Sequence, residues 1–211
     1  VFFVACSFSL FTMLGRARSA LGEHNFFGLR WIIEKFNDLD VERIREVGAE
    51  RACAEWVLRC GGSVRFDDGR PEVSDYNQLV EQTAQKSGTL NEKFFFLNQV
   101  RAVNACVTAR GCRHFEGVTR LQDVVFSGCK NLEDDAINVM VQNVGSTLRS
   151  VEFSNCRYIT QDGLRHLGKC SSLSSVILTD LPRVKEWEKL KEELKSNLPK
   201  NCEVACYPSK K

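Results

Sequence analysis

An α/β fold, built as a short leucine-rich repeat solenoid of about four cysteine-containing coils with a helical N-terminal cap, follows from three observations. A phrase Leu-x-x-Val-x-Phe occurs as Leu121, Val124, Phe126 and again as Leu148, Val151, Phe153. Each copy continues to a cysteine, Cys129 or Cys156, and then to an apolar residue, Leu132 or Ile159. The phrase returns altered as Leu173, Val176, Leu178, Leu181, Val184, and loosely as Leu97, Val100, Ala102, Asn104, Val107, with starts 24, 27 and 25 residues apart. The second half of the loose copy, Val107-Thr108 and Gly111-Cys112-Arg113-His114, aligns with Ile159-Thr160 and Gly163-Leu164-Arg165-His166.

Val124 and Phe126 are two apart, so on a strand they share one face. One copy cannot bury that face alone, whereas stacked copies cover one another. Val100, Val124, Val151 and Val176 are therefore expected in register on one parallel sheet. The Cys or Asn after each strand is expected in a tight bend. A helix follows, with Ala136, Ile137 and Met140, then Leu164 and Leu167, closing the other side. So short a stack needs caps at both ends.

Three segments are expected along the chain: residues 1–22, 23–91 and 92–211. Residues 1–22 contain no Asp or Glu and carry Arg16 and Arg18 among hydroxyl residues, which fits a mitochondrial presequence. The apolar run over residues 1–14 also fits a secretory signal, and it falls short of the roughly 20 residues that span a bilayer. Residues 23–91 read as a helical capping segment. Its first helix, Asn25–Asn37, carries Phe26, Phe27, Trp31, Ile32, Ile33 and Phe36, and needs a partner surface. Packing on the protein body and contact with a membrane both satisfy it.

Asp40 caps a second helix, with Arg43 in its first turn, and Gly48 ends it. A third helix runs from Arg51 to Arg59, with Ala52, Trp56 and Leu58 inward, and stops at Cys60-Gly61-Gly62. Strand alternation marks Ser63–Phe66, and Asp67-Asp68-Gly69-Arg70-Pro71 is a turn. Glu72–Asn91 is polar and reads as a long loop. The repeat domain, 92–211, closes with a helix over Val184–Leu198 and a last short strand, Glu203–Tyr207.

Composition narrows function. The chain has 211 residues, is 43% hydrophobic and 27% charged, and has a formal charge of +2. No basic block appears, so no nucleic acid is expected as partner, nor any small-molecule substrate. No Gly-x-Ser-x-Gly, P-loop or His-Glu-x-x-His motif is present, so no enzyme is expected. His114 and His166 occupy one slot in two repeats and read as structural. Glu133-Asp134-Asp135 reads as the start of a repeat helix, where carboxylates favour the positive dipole end. The ten cysteines form no Cys-x-x-Cys pair, which argues against a zinc site and for a reducing compartment. Cys202 and Cys206 would lie about 13 Å apart on a strand, too far for a disulfide.

The stretch Asp40-Val41-Glu42-Arg43-Ile44-Arg45-Glu46-Val47-Gly48 continues through Arg51-Ala52, Glu55-Trp56, Leu58-Arg59-Cys60-Gly61 and Val64-Arg65-Phe66. With Phe26-Phe27-Gly28, Asp75-Tyr76-Asn77 and Asp180-Leu181-Pro182, it resembles the mitochondrial ATP synthase subunit s (coupling factor B) family. Ala102-Val103-Asn104-Ala105, Gly61-Gly62 and Asn201-Cys202-Glu203-Val204 are similar to a sister group, the distal membrane-arm assembly proteins of respiratory complex I.

The resemblance implies a non-catalytic protein on the matrix side of the mitochondrial inner membrane. Its expected role is coupling or regulation at ATP synthase, with assembly of the complex I membrane arm as the alternative. A ubiquitin-ligase substrate adaptor is a further alternative, although Asn25–Gly61 does not read as an F-box. The resemblance also implies a Mg²⁺ held by backbone oxygens of Gly61 and Val103. The family commonly has Thr at the second position, so Val103 is a departure that a backbone ligand tolerates. Strand alternation nominates Gln99, Arg101, Asp123, Val125, Ser150 and Glu152, with Ser175 and Ile177 beyond, as the partner face. Phe26, Phe27, Trp31, Ile32 and Ile33 are the expected membrane contacts.

Overall fold

The computed structural model describes residues 27–83 and 95–208. The expected presequence, Asn25, Phe26 and residues 84–94 lie outside the described residues. The chain divides into two units, residues 1–32 and 33–211. Helix α1, Phe27–Phe36, begins in the first and ends in the second.

In the second unit, α2 spans Val41–Val47 and α3 spans Ala49–Arg59. Asp40 caps α2 as expected, its Oδ1 accepting from the Arg43 N–H at 2.9 Å, and Gly48 closes it. Ala52, Trp56 and Leu58 are buried on α3. Strand β1, Ser63–Phe66, follows the Cys60–Gly62 stop.

The expected loop from Glu72 contains a helix instead, α4, Tyr76–Thr83. Asp75 Oδ1 accepts from the Asn77 N–H at 2.7 Å, a cap that the polar composition disguised. Leu79 and Thr83 bury one face of that helix.

Strands β2 (Leu97–Val103), β3 (Asp123–Ser127), β4 (Ser150–Ser154), β5 (Ser175–Thr179) and β6 (Glu203–Tyr207) follow. Between them lie a 3-10 turn at Gly111–Phe115, α5 (Asp134–Val144), α6 (Gln161–Arg165) running into a 3-10 turn at His166–Lys169, and α7 (Trp187–Asn197). The expected start of the last helix at Val184 moves to Trp187, because Val184 N–H closes a turn onto the Leu181 carbonyl at 3.1 Å.

One six-stranded sheet runs in chain order, with β1 antiparallel to β2 and every later pair parallel. Val100, Val124, Val151 and Val176 pair in one row, which Val64 and Val204 extend at either end. All six are buried. Next to them Phe126 and Phe153 stack at 5.6 Å between ring centroids. The leading residues Leu97, Leu121, Leu148 and Leu173 are buried as well. Each such side chain contributes about 1.5–3 kcal/mol when fully buried, so the repeated phrase supplies a large share of the core, beside Trp56, Phe66 and Phe115 and the inward faces of α3, α5 and α7.

The bends differ in one residue from the sequence alignment. The left-handed positions are Asn104, Gly128, Asn155 and Asp180, at φ 53°, 64°, 50° and 51°. Asn104 therefore matches Gly128, not Cys129, because a left-handed φ suits Asn, Asp or Gly and not cysteine. Each of these residues donates its N–H to the last carbonyl of the next strand: Ser127, Ser154, Thr179 and Tyr207, at 2.7–3.0 Å. The cysteines sit one residue further on. Cys129 Sγ donates to the Ala102 carbonyl at 3.1 Å, and Cys156 Sγ to the Phe126 carbonyl at 3.5 Å. Each thiol thus ties its bend to the preceding strand.

Candidate interaction face and cap junction

Side chains that alternate away from the core form three rows across the sheet. The first runs Arg65, Gln99, Asp123, Ser150, Ser175, Glu203, and the second Ser63, Arg101, Val125, Glu152, Ile177, Ala205. The third runs Val103, Ser127, Ser154, Thr179, Tyr207. The sequence-nominated residues Gln99, Arg101, Asp123, Val125, Ser150 and Glu152 therefore share one face, each half-buried or exposed.

Charge on this face is graded. Arg65 and Arg101 stand on β1 and β2, whereas Asp123, Glu152 and Glu203 stand on β3, β4 and β6. Across the sheet Val125 is the direct neighbour of Arg101, Asp123 lies diagonally on the same adjacent strand, and Glu152 is one strand further. The carboxylate beside Arg101 is Glu72, 3.9 Å from Nε, which also lies 3.8 Å from Arg65. Glu72 belongs to the segment after β1, so no strand pattern could point to it. Partial burial raises the Asp123 carboxyl above its ordinary range, against the opposing pull of Arg149 and Arg65. Val125 and Ile177 flank Glu152, and Val103 and Tyr207 are exposed at the ends of the third row.

A buried polar hub joins α3 to the segment that follows β2. Asn37 is fully buried, and its Nδ2 donates to the carbonyls of Ile33 and Cys106 at 2.8 Å each. Its Oδ1 accepts from Trp56 Nε1 at 3.2 Å and from the Thr108 N–H at 3.1 Å. Three of these four bonds reach residues distant in the chain, Trp56, Cys106 and Thr108. A Cβ on Gly111 would lie 2.1 Å from Asn37 Oδ1, so only glycine fits against the hub. Glu50 makes a second tie, accepting from the Leu97 N–H at 2.8 Å and the Thr119 N–H at 2.9 Å.

His114 belongs to the same junction. It stacks on Trp56 at 5.1 Å, shares a 2.9 Å hydrogen bond between Nδ1 and the Gly111 carbonyl, and is 2% exposed. Burial pulls its pKa down to about 4, so the ring is neutral. His166, in the equivalent slot, is half-buried. Burial raises the thiols of Cys53, Cys112 and Cys170, that of Cys170 to about 11. The nine described cysteines are all free thiols.

Gly61 and Val103 fall opposite one another when the antiparallel pairing Ser63↔Arg101 is carried two residues outward. The chains are close there, since a Cβ on Gly62 would lie 2.8 Å from the Arg101 carbonyl oxygen. Neutral carbonyl oxygens are hard donors of the type that Mg²⁺ accepts beside water, so the residues fit the ion in kind. Among the described residues no group of three or more His, Cys, Asp or Glu side chains is placed to hold a metal.

Of the expected membrane contacts, Phe27, Trp31, Ile32 and Ile33 lie on α1. Trp31 is 65% exposed, while Ile32 and Ile33 are half-buried. Among the described residues no helix is long and apolar enough to cross a membrane.

No protein-family model matches the chain. It is similar to proteins named "ATP synthase subunit s, mitochondrial". It is 33% identical over 171 residues to the Homo sapiens protein, covering 80% of this chain and 82% of the relative. At the same coverage it is 32% identical to the Bos taurus protein and 30% identical to that of Mus musculus.

Proposed function

The chain belongs to the ATP synthase subunit s family, and from that membership we propose that it is a non-catalytic mitochondrial protein that binds ATP synthase and supports proton-coupled ATP synthesis. The observation that carries this reading is 33% identity sustained over 171 residues to a protein of that name. We read the repeated strand–bend–helix units as a leucine-rich repeat solenoid, with residues 23–91 as its cap and 92–211 as its body. Its outward sheet face is the contact surface: Gln99, Arg101, Asp123, Val125, Ser150 and Glu152. Trp31, Ile32 and Ile33 on α1 bring the protein to the matrix side of the inner membrane, where an amphipathic helix lies in the interface without spanning it.

The same reading gives the Gly61 and Val103 carbonyls a Mg²⁺. Mn²⁺-soaked crystals should show an anomalous peak beside them, and a clean map there would remove the ion. Affinity purification of tagged protein from mild-detergent mitochondrial extracts tests the partner. Recovery of ATP synthase subunits is expected. Recovery of complex I membrane-arm subunits instead would favour the assembly role, which the similarity of residues 102–105 and 201–204 to that sister group supports.

A further inference from the structure

Three consecutive bends, after β3, β4 and β5, carry Lys130, Arg157 and Arg183, all exposed. Ser127, Ser154 and Thr179 pair across these strands, so Lys130 and Arg157 occupy one position on adjacent bends, about 4.8 Å apart along the stack. The ring of Tyr158 holds two of the cations. Arg157 Cζ lies 4.8 Å from its centroid, with Nη2 donating to the Tyr158 hydroxyl at 2.9 Å. Arg183, from the following bend, reaches the same ring at 4.8 Å.

A guanidinium resting on an aromatic face keeps its charge, and beyond the one Arg157 donor spent on the Tyr158 hydroxyl it still has in-plane N–H groups to offer an anion. Among the described residues, none of the ion pairs involves Lys130, Arg157 or Arg183. The acidic residues nearest in the chain are Glu133, whose backbone bridges to Tyr158, Asp180 on the bend before Arg183, and Glu186 after it; Glu133 and Glu186 are exposed and Asp180 is half-buried. Lys185 adds a fourth exposed cation two residues after Arg183.

We propose that this ledge, Lys130, Arg157 and Arg183 around Tyr158, docks on the phosphate headgroups of an anionic lipid surface. The chemistry is that of a phosphate oxyanion met by guanidinium N–H pairs. All three cations are exposed and stand on separate bends, an arrangement suited to several headgroup phosphates of a surface more than to one enclosed anion. A tyrosine among Lys and Arg is also the composition found at headgroup level. This contact is separate from α1 and does not rest on the ATP synthase reading.

The test is co-sedimentation of the full chain with vesicles of phosphatidylglycerol or of phosphatidylcholine. Wild type should favour phosphatidylglycerol. Arg157→Gln with Arg183→Gln should lower that partitioning about thirtyfold, at about fivefold per cation near an anionic surface. Arg45→Gln with Arg113→Gln, the same charge change at exposed sites elsewhere, should leave it within about twofold. An equal loss in both double variants would reduce the effect to net charge and overturn the proposal. So would loss on Trp31→Glu with Ile33→Glu but not on the ledge variant, which would leave the helix contact standing alone. Saturable binding of inorganic phosphate without any vesicle preference would assign a soluble ligand instead. Loss of a co-purifying protein by the ledge variant, with vesicle binding unchanged, would assign an acidic protein partner; either result overturns the lipid assignment.

Discussion

The carboxylate of Asp134 holds Thr160 of the following repeat, accepting its N–H at 2.8 Å and its hydroxyl at 2.6 Å. The same Thr160 hydroxyl accepts from the Asp162 N–H at 3.2 Å and so caps α6. One side chain at the start of α5 thereby positions the start of the next helix. Asp134→Ala leaves the Thr160 N–H unpartnered and should cost about 1–3 kcal/mol in urea unfolding. Asp134→Asn keeps an acceptor and should cost less. Equal midpoints for the two variants would deny the link.

The valine row sets a second expectation. Val124→Asp places a carboxylate in a fully apolar row and should lower stability by about 3 kcal/mol or more, in one cooperative transition. Val125→Asp, one residue away on the outward face, should change stability by less than about 1 kcal/mol. Thermal melts of the two, followed by circular dichroism, test the register directly.

At the cap junction, Asn37→Ala strands the Trp56 indole N–H and the Thr108 N–H together, and should cost about 2–4 kcal/mol. Gly111→Ala drives a methyl into Asn37 Oδ1 and should resemble it. Both variants should raise hydrogen exchange at α3 and the first repeat before the later repeats. Uniform exchange across the sheet would mean that the cap and body do not open separately.

His114 makes stability depend on pH. The folded protein holds it neutral with a pKa of about 4, whereas the unfolded chain protonates it near 6.5. The unfolded state thus binds more protons between these values. Stability contributed by His114 is complete above about pH 6.5, falls as the pH drops toward 4, and is lost below that, by about 3 kcal/mol in all. His114→Phe should flatten this slope while keeping a ring against Trp56. An unchanged slope in that variant would place the dependence on other groups.

The legible and illegible parts of the fold divide by range. A two-residue alternation repeated at near-constant spacing encodes strand, face and register together, so the valine row and the outward face could be read from residue order. Asp40 and Gly48 were legible because a cap and a stop act within four residues. Asn37, Glu50 and Glu72 were not, since their partners lie 69, 47 and 29 residues away and no local pattern marks such a bond. Helix α4 was missed because its buried face is only Leu79 and the polar Thr83, which leaves no apolar periodicity in a polar segment. The one-residue slip at Asn104 arose from matching small residues by type, when the backbone requirement at that bend is a positive φ.

One purification tests whether the outward sheet face is a contact surface for ATP synthase. Tagged wild type and the Asp123→Arg, Glu152→Arg double variant are captured in parallel from mitochondria in mild detergent, and the bound subunits are counted by mass spectrometry. Both side chains lie off the core, so the variant should melt like wild type. ATP synthase subunits are expected with wild type, and their loss with the folded variant. Equal recovery by both proteins, or no synthase subunit with wild type, would contradict that expectation.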